Sequence, residues 1–188
     1  TFSFIGVSNE ARSTNVGGDI AATIAQGGAI AGGLTAITNR GAVTMMIDGR
    51  IGGTEDPADL MIAALGIEAY TLSQMDPDDG STFERAVQTA TGGRADVSVG
   101  PEGSIYGDVT ISALEGISLS VQGLIAGDVE LTSLATPTSR SDAQSSSTTS
   151  EDGVTQTDEI GTTTFDTEVA GGAIYLDIGI DGTIGGDI

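Results

Sequence analysis

Two aspartates stand in nearly identical surroundings twenty residues apart: Asp108 in GSIYGDV (103–109) and Asp128 in GLIAGDV (123–129). If that spacing is one turn of a coil, their backbones lie about 5 Å apart. A carboxylate pair suffices for acid–base cleavage of a glycosidic bond, so a β-helical polysaccharide-active enzyme is one function class to weigh. Two features oppose it. An Asp recurring at one kind of corner is explained by turn chemistry, because its side chain bonds nearby backbone. A sugar platform is also missing, with Tyr70, Tyr106 and Tyr175 the only tyrosines and no Trp. Stacked carboxylates also make Ca²⁺ a candidate ligand, since the cation would relieve their repulsion. The sequence assigns no catalytic, cofactor-binding or metal-ligating residue, and the chain is read as a non-enzyme.

Composition removes most other chemistry. The 188 residues carry no His, no Cys and no Lys, and a formal charge of -21 from 27 acids against six arginines. Zinc sites of the usual kind, thiol catalysis, Ser-His-Asp triads and Schiff bases are therefore excluded. The charge opposes nucleic acid and anionic lipid. Apolar runs never reach the length of a membrane-spanning helix. The sequence begins Thr1, with no basic segment before an apolar run, which suggests a processed chain or a fragment. Acidity without lysine suits a chain kept soluble outside a cell.

The two heptapeptides belong to a larger set. Gly-x-Ile-x-Gly occurs as GAIAG (28–32), GRIGG (49–53), GSIYG (103–107), GLIAG (123–127) and GTIGG (182–186). Their first glycines are 21, 54, 20 and 59 residues apart, two gaps near 20 and two near three times 20. An alternating or apolar run precedes each copy, most clearly Ile117, Leu119 and Val121 with Ser118, Ser120 and Gln122 between them. That is the period-2 pattern of a strand with one buried face. Repetition at a fixed short period, with glycine corners, predicts an all-β fold, a β-solenoid (parallel β-helix) of about 20-residue coils. The competing antiparallel sandwich would use hairpin turns such as Asn-Gly, which the chain lacks. The coil reading predicts roughly seven coils over about 35 Å. It also makes Ile105 and Ile125 stacked neighbours and sets Val109 beside Val129. Asp108, Asp128 and Asp187 follow the second glycine directly, and Asp19 has the same Gly-Gly-Asp-Ile setting.

Three stretches do not repeat. Residues 54–75 admit either a helix opening at Asp56–Pro57 or coil strands, with Ile67, Ala69 and Thr71 on one face; strands are preferred, because the 54-residue gap has room for two more coils. DPDDGSTFE (76–84) fails the calcium-loop pattern, since Pro77 and Met75 fall where acids are needed, and reads as an acidic turn. Residues 136–164 are rich in Ser, Thr and Asp and read as a polar excursion from the single solenoid domain spanning 1–188.

GGDIAATIAQGGAIAGG (17–33) and GGAIYLDIGIDGTIGGDI (171–188) resemble the glycine-rich passenger repeats of bacterial autotransporter adhesins, particularly those of alphaproteobacteria. The resemblance covers about two thirds of the chain. It implies a secreted right-handed β-helix at the cell surface, acting in adhesion or as a structural rod, with host or cell-surface glycans as candidate ligands. Gly-x-Ile-x-Gly-Asp-Val is similar, more weakly, to bactofilins, intracellular β-helices that polymerise end to end. The Ser/Thr excursion and the absent lysine oppose that second likeness. A solenoid has two open ends with unpaired edges. TFSFIGVS (1–8) and TIGGDI (183–188) show no polar cap, so the ends are expected to join another copy or more of the same polypeptide. The expected function is that of an extracellular surface fibre subunit or adhesin passenger.

Overall fold

The computed structural model describes residues 18–66, 92–134 and 171–188 in full, and the backbone alone of the strands within 2–15, 67–90 and 136–169. All regular structure among these residues is strand. The chain divides into two compact units: Thr1–Ile67, Thr91–Ala135 and Ala170–Ile188 form the first, Glu68–Ala90 and Thr136–Val169 the second.

The first unit is a coil of three strands per turn. The first turn is β1 (Phe2–Phe4), β2 (Val7–Ser8) and β3 (Ala11–Asn15); the second is β4 (Ile20–Ile24), β5 (Ala29–Ile30) and β6 (Leu34–Thr38). The third is β7 (Val43–Ile47), β8 (Arg50–Ile51) and β9 (Leu60–Ala64). Two strands of the second unit, β10 (Ile67–Met75) and β11 (Thr82–Ala90), then intervene. The fourth turn is β12 (Arg94–Val99), β13 (Ser104–Ile105) and β14 (Val109–Ala113), and the fifth is β15 (Gly116–Val121), β16 (Leu124–Ile125) and β17 (Val129–Ser133). After β18 (Thr136–Thr149) and β19 (Thr155–Val169), the sixth turn supplies β20 (Ala173–Ile178) and β21 (Thr183–Ile184).

Corresponding strands stack into three parallel sheets: sheet A is β1-β4-β7-β12-β15-β20, sheet B is β2-β5-β8-β13-β16-β21, and sheet C is β3-β6-β9-β14-β17. Five complete turns and part of a sixth replace the seven expected. At about 4.8 Å per step, the first and sixth turns are about 24 Å apart. The expectation fails because the 54- and 59-residue gaps hold β10–β11 and β18–β19 rather than further coils.

The period-2 pattern makes each sheet's inner face a set of columns, one residue per turn. Every motif isoleucine falls in one column of sheet B, Ile30–Ile51–Ile105–Ile125–Ile184. The first four are fully buried. Ile105 pairs with Ile125, and Val109 with Val129, in the parallel ladder the sequence predicts. In sheet A, Ile24, Ile47, Val99, Val121 and Ile178 form a column. In sheet C, Ala36, Ile62, Ile111 and Leu131 do the same. Volume is exchanged within columns: in sheet A, small Ala22 stacks on Met45, which stacks on Val97. At the end of sheet C, the inward column Thr38–Ala64–Ala113–Ser133 is uniformly small. Thr38 is the buried polar residue among the described ones, and its hydroxyl donates to the Gly18 carbonyl at 2.8 Å, so the group is satisfied.

No helix opens at Asp56. Residues 60–64 are a coil strand, with Leu60, Ile62 and Ala64 inward, whereas Ile67–Met75 is a strand ending outside the coil. The side chains of Ile67, Ala69 and Thr71 lie outside the described residues, as do 76–81 of the acidic turn and the side chains of 1–8.

The second unit is a four-stranded sheet of order β10-β11-β18-β19. β11 and β18 pair antiparallel, as do β18 and β19, the latter from Thr136↔Val169 to Thr149↔Thr155 with a register shift at Gln144/Ser145. The Ser/Thr-rich excursion thus contributes its backbone to long strands, as β-branched Thr permits.

Candidate functional site

The corner between sheets B and C gathers the carboxylates. Asp59, Asp108 and Asp128 each stand one residue before a sheet C strand, and Asp187 takes the same place in the sixth turn. The first three carboxylates each accept a backbone N–H from the aspartate one turn on. Asp108 N–H donates to Asp59 Oδ1 at 2.9 Å, Asp128 N–H to Asp108 Oδ1 at 2.9 Å, and Asp187 N–H to Asp128 Oδ1 at 2.8 Å. Backbone bonds run alongside, from Leu60 N to Asp108 O, Val109 N to Asp128 O and Val129 N to Asp187 O, all 2.8–2.9 Å. The result is a charge-assisted ladder that satisfies corner N–H groups the sheets leave unpaired.

This ladder explains the glycine before each Asp. A Cβ on Gly107 would strike Asp59 Oδ1, one on Gly127 would strike Asp108 Oδ1, and one on Gly186 would strike Asp128 Oδ1. None of these three glycines has a positive φ. Gly-Asp is therefore a two-residue joint, in which the glycine of one turn makes room for the carboxylate of the turn before. Asp59 belongs to the ladder although the sequence did not reveal it. Ala58 precedes it, and the loop at 52–58 displaces it from the Gly-x-Ile-x-Gly motif. Asp19 does not belong, despite its matching setting. It precedes β4 of sheet A, at a different corner, and its Oδ1 accepts Ala42 N–H at 2.8 Å.

The ladder does bring Asp108 and Asp128 together, one turn apart, but through the backbone N–H of one and the carboxylate of the other. Replacing Asp108 by alanine is expected to cost about 1 kcal/mol of stability in urea unfolding. Asparagine, whose amide oxygen still accepts, should recover most of it. Equal losses in the two variants would mean that charge rather than the hydrogen bond carries the corner.

Elsewhere, Arg94 and Asp96 form an exposed pair on the outer face of sheet A, with Nε 2.8 Å from Asp96 Oδ2. The hydrogen bond and charge of Asp96 hold the guanidinium pKa above its usual value. Two shallow concavities flank Arg50: one of about 380 Å³ beside Asp48 and Glu102, the other of about 270 Å³ beside Glu55 and Asp56. A third, of about 570 Å³, lies at the sixth turn and is lined chiefly by apolar side chains, including Val129, Leu131, Ile174 and Leu176. Among the described residues no group of three or more acids is placed to hold a metal ion. No helix among them is long and apolar enough to cross a membrane. No protein-family model, no curated protein and no solved structure matches this chain.

Proposed function

We propose that the protein is a non-catalytic, extracellular structural or adhesive rod, a surface fibre subunit or adhesin passenger whose coil joins others, or more of its own polypeptide, through open ends. The observation that carries this is the state of the sixth turn. Ile174, Leu176 and Ile178 continue the inward columns of Ile117, Leu119 and Val121. Ile117, Leu119 and Val121 are at most 2% exposed, whereas Ile174 and Ile178 are 42% and 43% exposed. An interior face of this kind calls for one more coil to cover it, supplied by another copy or by more of the same polypeptide. The corner carboxylates support the non-catalytic part of the proposal, because each inner one already serves the backbone. The net charge of -21 suits a surface exposed to water and salt.

Electron microscopy of the purified protein, with binding to whole cells, tests the proposal. Rods longer than one coil, or retention on a cell surface, are expected. Strictly monomeric short particles that bind no surface would sink it.

A further inference from the structure

Corner lengths alternate between sheets A and B. Four residues join the two strands in the second turn (25–28) and in the fourth (100–103), whereas two join them in the third (48–49) and in the fifth (122–123). Each of these long corners is a β-turn closed by a backbone hydrogen bond, from Gly28 N–H to Ala25 O at 2.8 Å and from Gly103 N–H to Gly100 O at 2.9 Å. The strands on either side are in register, so the two extra residues bulge outward, and Gln26, Gly27, Pro101 and Glu102 are all exposed. The short corner of the third turn is then the floor of a notch of about 380 Å³, with Gln26, Gly27 and Glu102 on its lips and Asp48, Gly49 and Arg50 below. The lips are two steps of the coil apart, about 10 Å from backbone to backbone.

The polar side chains of the notch are not used by the fold. Arg94 has Asp96 for a partner, but the side chains of Arg50, Asp48, Glu102 and Gln26 make no hydrogen bond or ion pair. Asp48 is nonetheless held at the wall, because its Oδ1 lies where a Cβ on Gly100 would stand. Arg50 also walls a second concavity, of about 270 Å³, together with Thr54, Glu55 and Asp56. Charge narrows what these spaces accept. Four carboxylates around one guanidinium repel an anion. Arg50 at the centre opposes a cation, and among the described residues no three acids converge on a metal site. An uncharged ligand remains, and it must both donate and accept at closely spaced points. The carboxylates only accept and the guanidinium only donates, while a hydroxyl does both. Neighbouring hydroxyls of a sugar ring can give to Asp48 and take from Arg50. A peptide fits less well, because the walls are largely glycine and turn backbone, with no socket for a side chain.

We propose that the notch binds an uncharged oligosaccharide, with Arg50 bonded to the rings on either side of it. No aromatic side chain lines either concavity, so one site binds weakly, and firm attachment comes from many sites along a rod. This inference rests on the adhesive rod proposed above and names the class of surface group it holds.

The test is an amide NMR titration of the 188-residue chain with cellobiose, lactose and maltose, and with methyl glucoside as the single-ring comparison. Saturable shifts confined to residues 26–29, 48–56 and 102 are expected with at least one disaccharide, and binding severalfold weaker with methyl glucoside. Arg50→Ala should weaken binding at least tenfold while keeping its strand circular dichroism, since Arg50 lies on the outer side of its strand. Arg94→Ala should leave binding unchanged. Scattered shifts, no saturation with any of the three sugars, or equal loss in the two arginine variants would overturn the proposal. Saturation of the same residues by tetralysine, by dextran sulfate or by tetraglycine, but by none of the sugars, would overturn it too. Sugar binding without rods or cell attachment would leave this inference standing and remove the rod. Rods that attach to cells although no sugar shifts these residues would do the reverse.

Discussion

Replacing Ile105 by alanine should lower the unfolding free energy by about 3–4 kcal/mol. Ile105 is fully buried and sits in the middle of the sheet B column, between Ile51 and Ile125. Sheet B contributes only two residues per turn, and one of them points inward, so no neighbour on the same strand can fill the space. Truncation loses the transfer free energy of the side chain and leaves a cavity bounded by isoleucines above and below. Each turn touches only its neighbours, so the loss loosens both interfaces of the fourth turn. The adjacent Ser104→Ala change is the control. Ser104 is half-buried on the outer side of the strand and should shift stability by less than about 0.5 kcal/mol. Urea unfolding of both variants decides the matter. A loss below about 1 kcal/mol for the alanine variant at 105 would mean the column is not a continuous core.

The second large effect comes from adding a single carbon. Gly123→Ala should cost about 3 kcal/mol, at the upper end for overpacking. The new Cβ would strike the carbonyl oxygens of Gly103 and Gly100, one turn back. Neither oxygen can withdraw cheaply: Gly103 O accepts Leu124 N–H at 3.0 Å, and Gly100 O accepts Gly103 N–H at 2.9 Å. The strain is one of close approach, because Gly123 has no positive φ. Gly27 gives the contrast. Its φ of +79° disfavours a side chain, yet no atom lies within 4 Å of a Cβ built there. Gly27→Ala should therefore cost only about 1 kcal/mol. Thermal melts of the two variants separate the mechanisms, and equal shifts would show that backbone conformation rather than stacking demands glycine at 123.

Much of the coil was written in the motif itself. Spacings of 20 and 21 residues are single turns, and the alternation at 117–121 named its inward residues correctly. Gly-x-Ile-x-Gly marks sheet B because its two-residue strands lie between close approaches: a Cβ at Gly49, Gly103, Gly123 or Gly182 would strike backbone one turn back, as would one at Gly107, Gly127 or Gly186, whereas Gly53 has open space and is not forced. The same logic misled at the long gaps. Multiples of 20 arise equally from extra turns or from excursions, and Ile67–Met75 alternates like a coil strand although it leaves the coil. The corner ladder was half legible. Asp108, Asp128 and Asp187 share a Gly-Asp context, but Asp59 reaches the same place by a loop, and Asp19 copies the context at another corner. Local sequence records the turn. Which turn stacks on which is recorded only by register, and that depends on the columns of the whole core.

The two excursions leave and rejoin the coil at one corner, between sheets C and A. Gly93 returns against Ala64 O and Gly66 N, and Gly171 against Leu134 O, so the departing and returning backbones meet and the stack proceeds across the joint. Between them, the fourth turn crosses the same corner directly through Leu114 and Glu115, with Leu114 N bonded to Ala64 O and Glu115 N to Gly93 O. The coil therefore behaves as a rack with side slots. Across both insertions the strand registers, Val43↔Ala95 and Ile117↔Ile174, continue those of the uninterrupted turns, so length added at this corner is absorbed without shifting a column of the core.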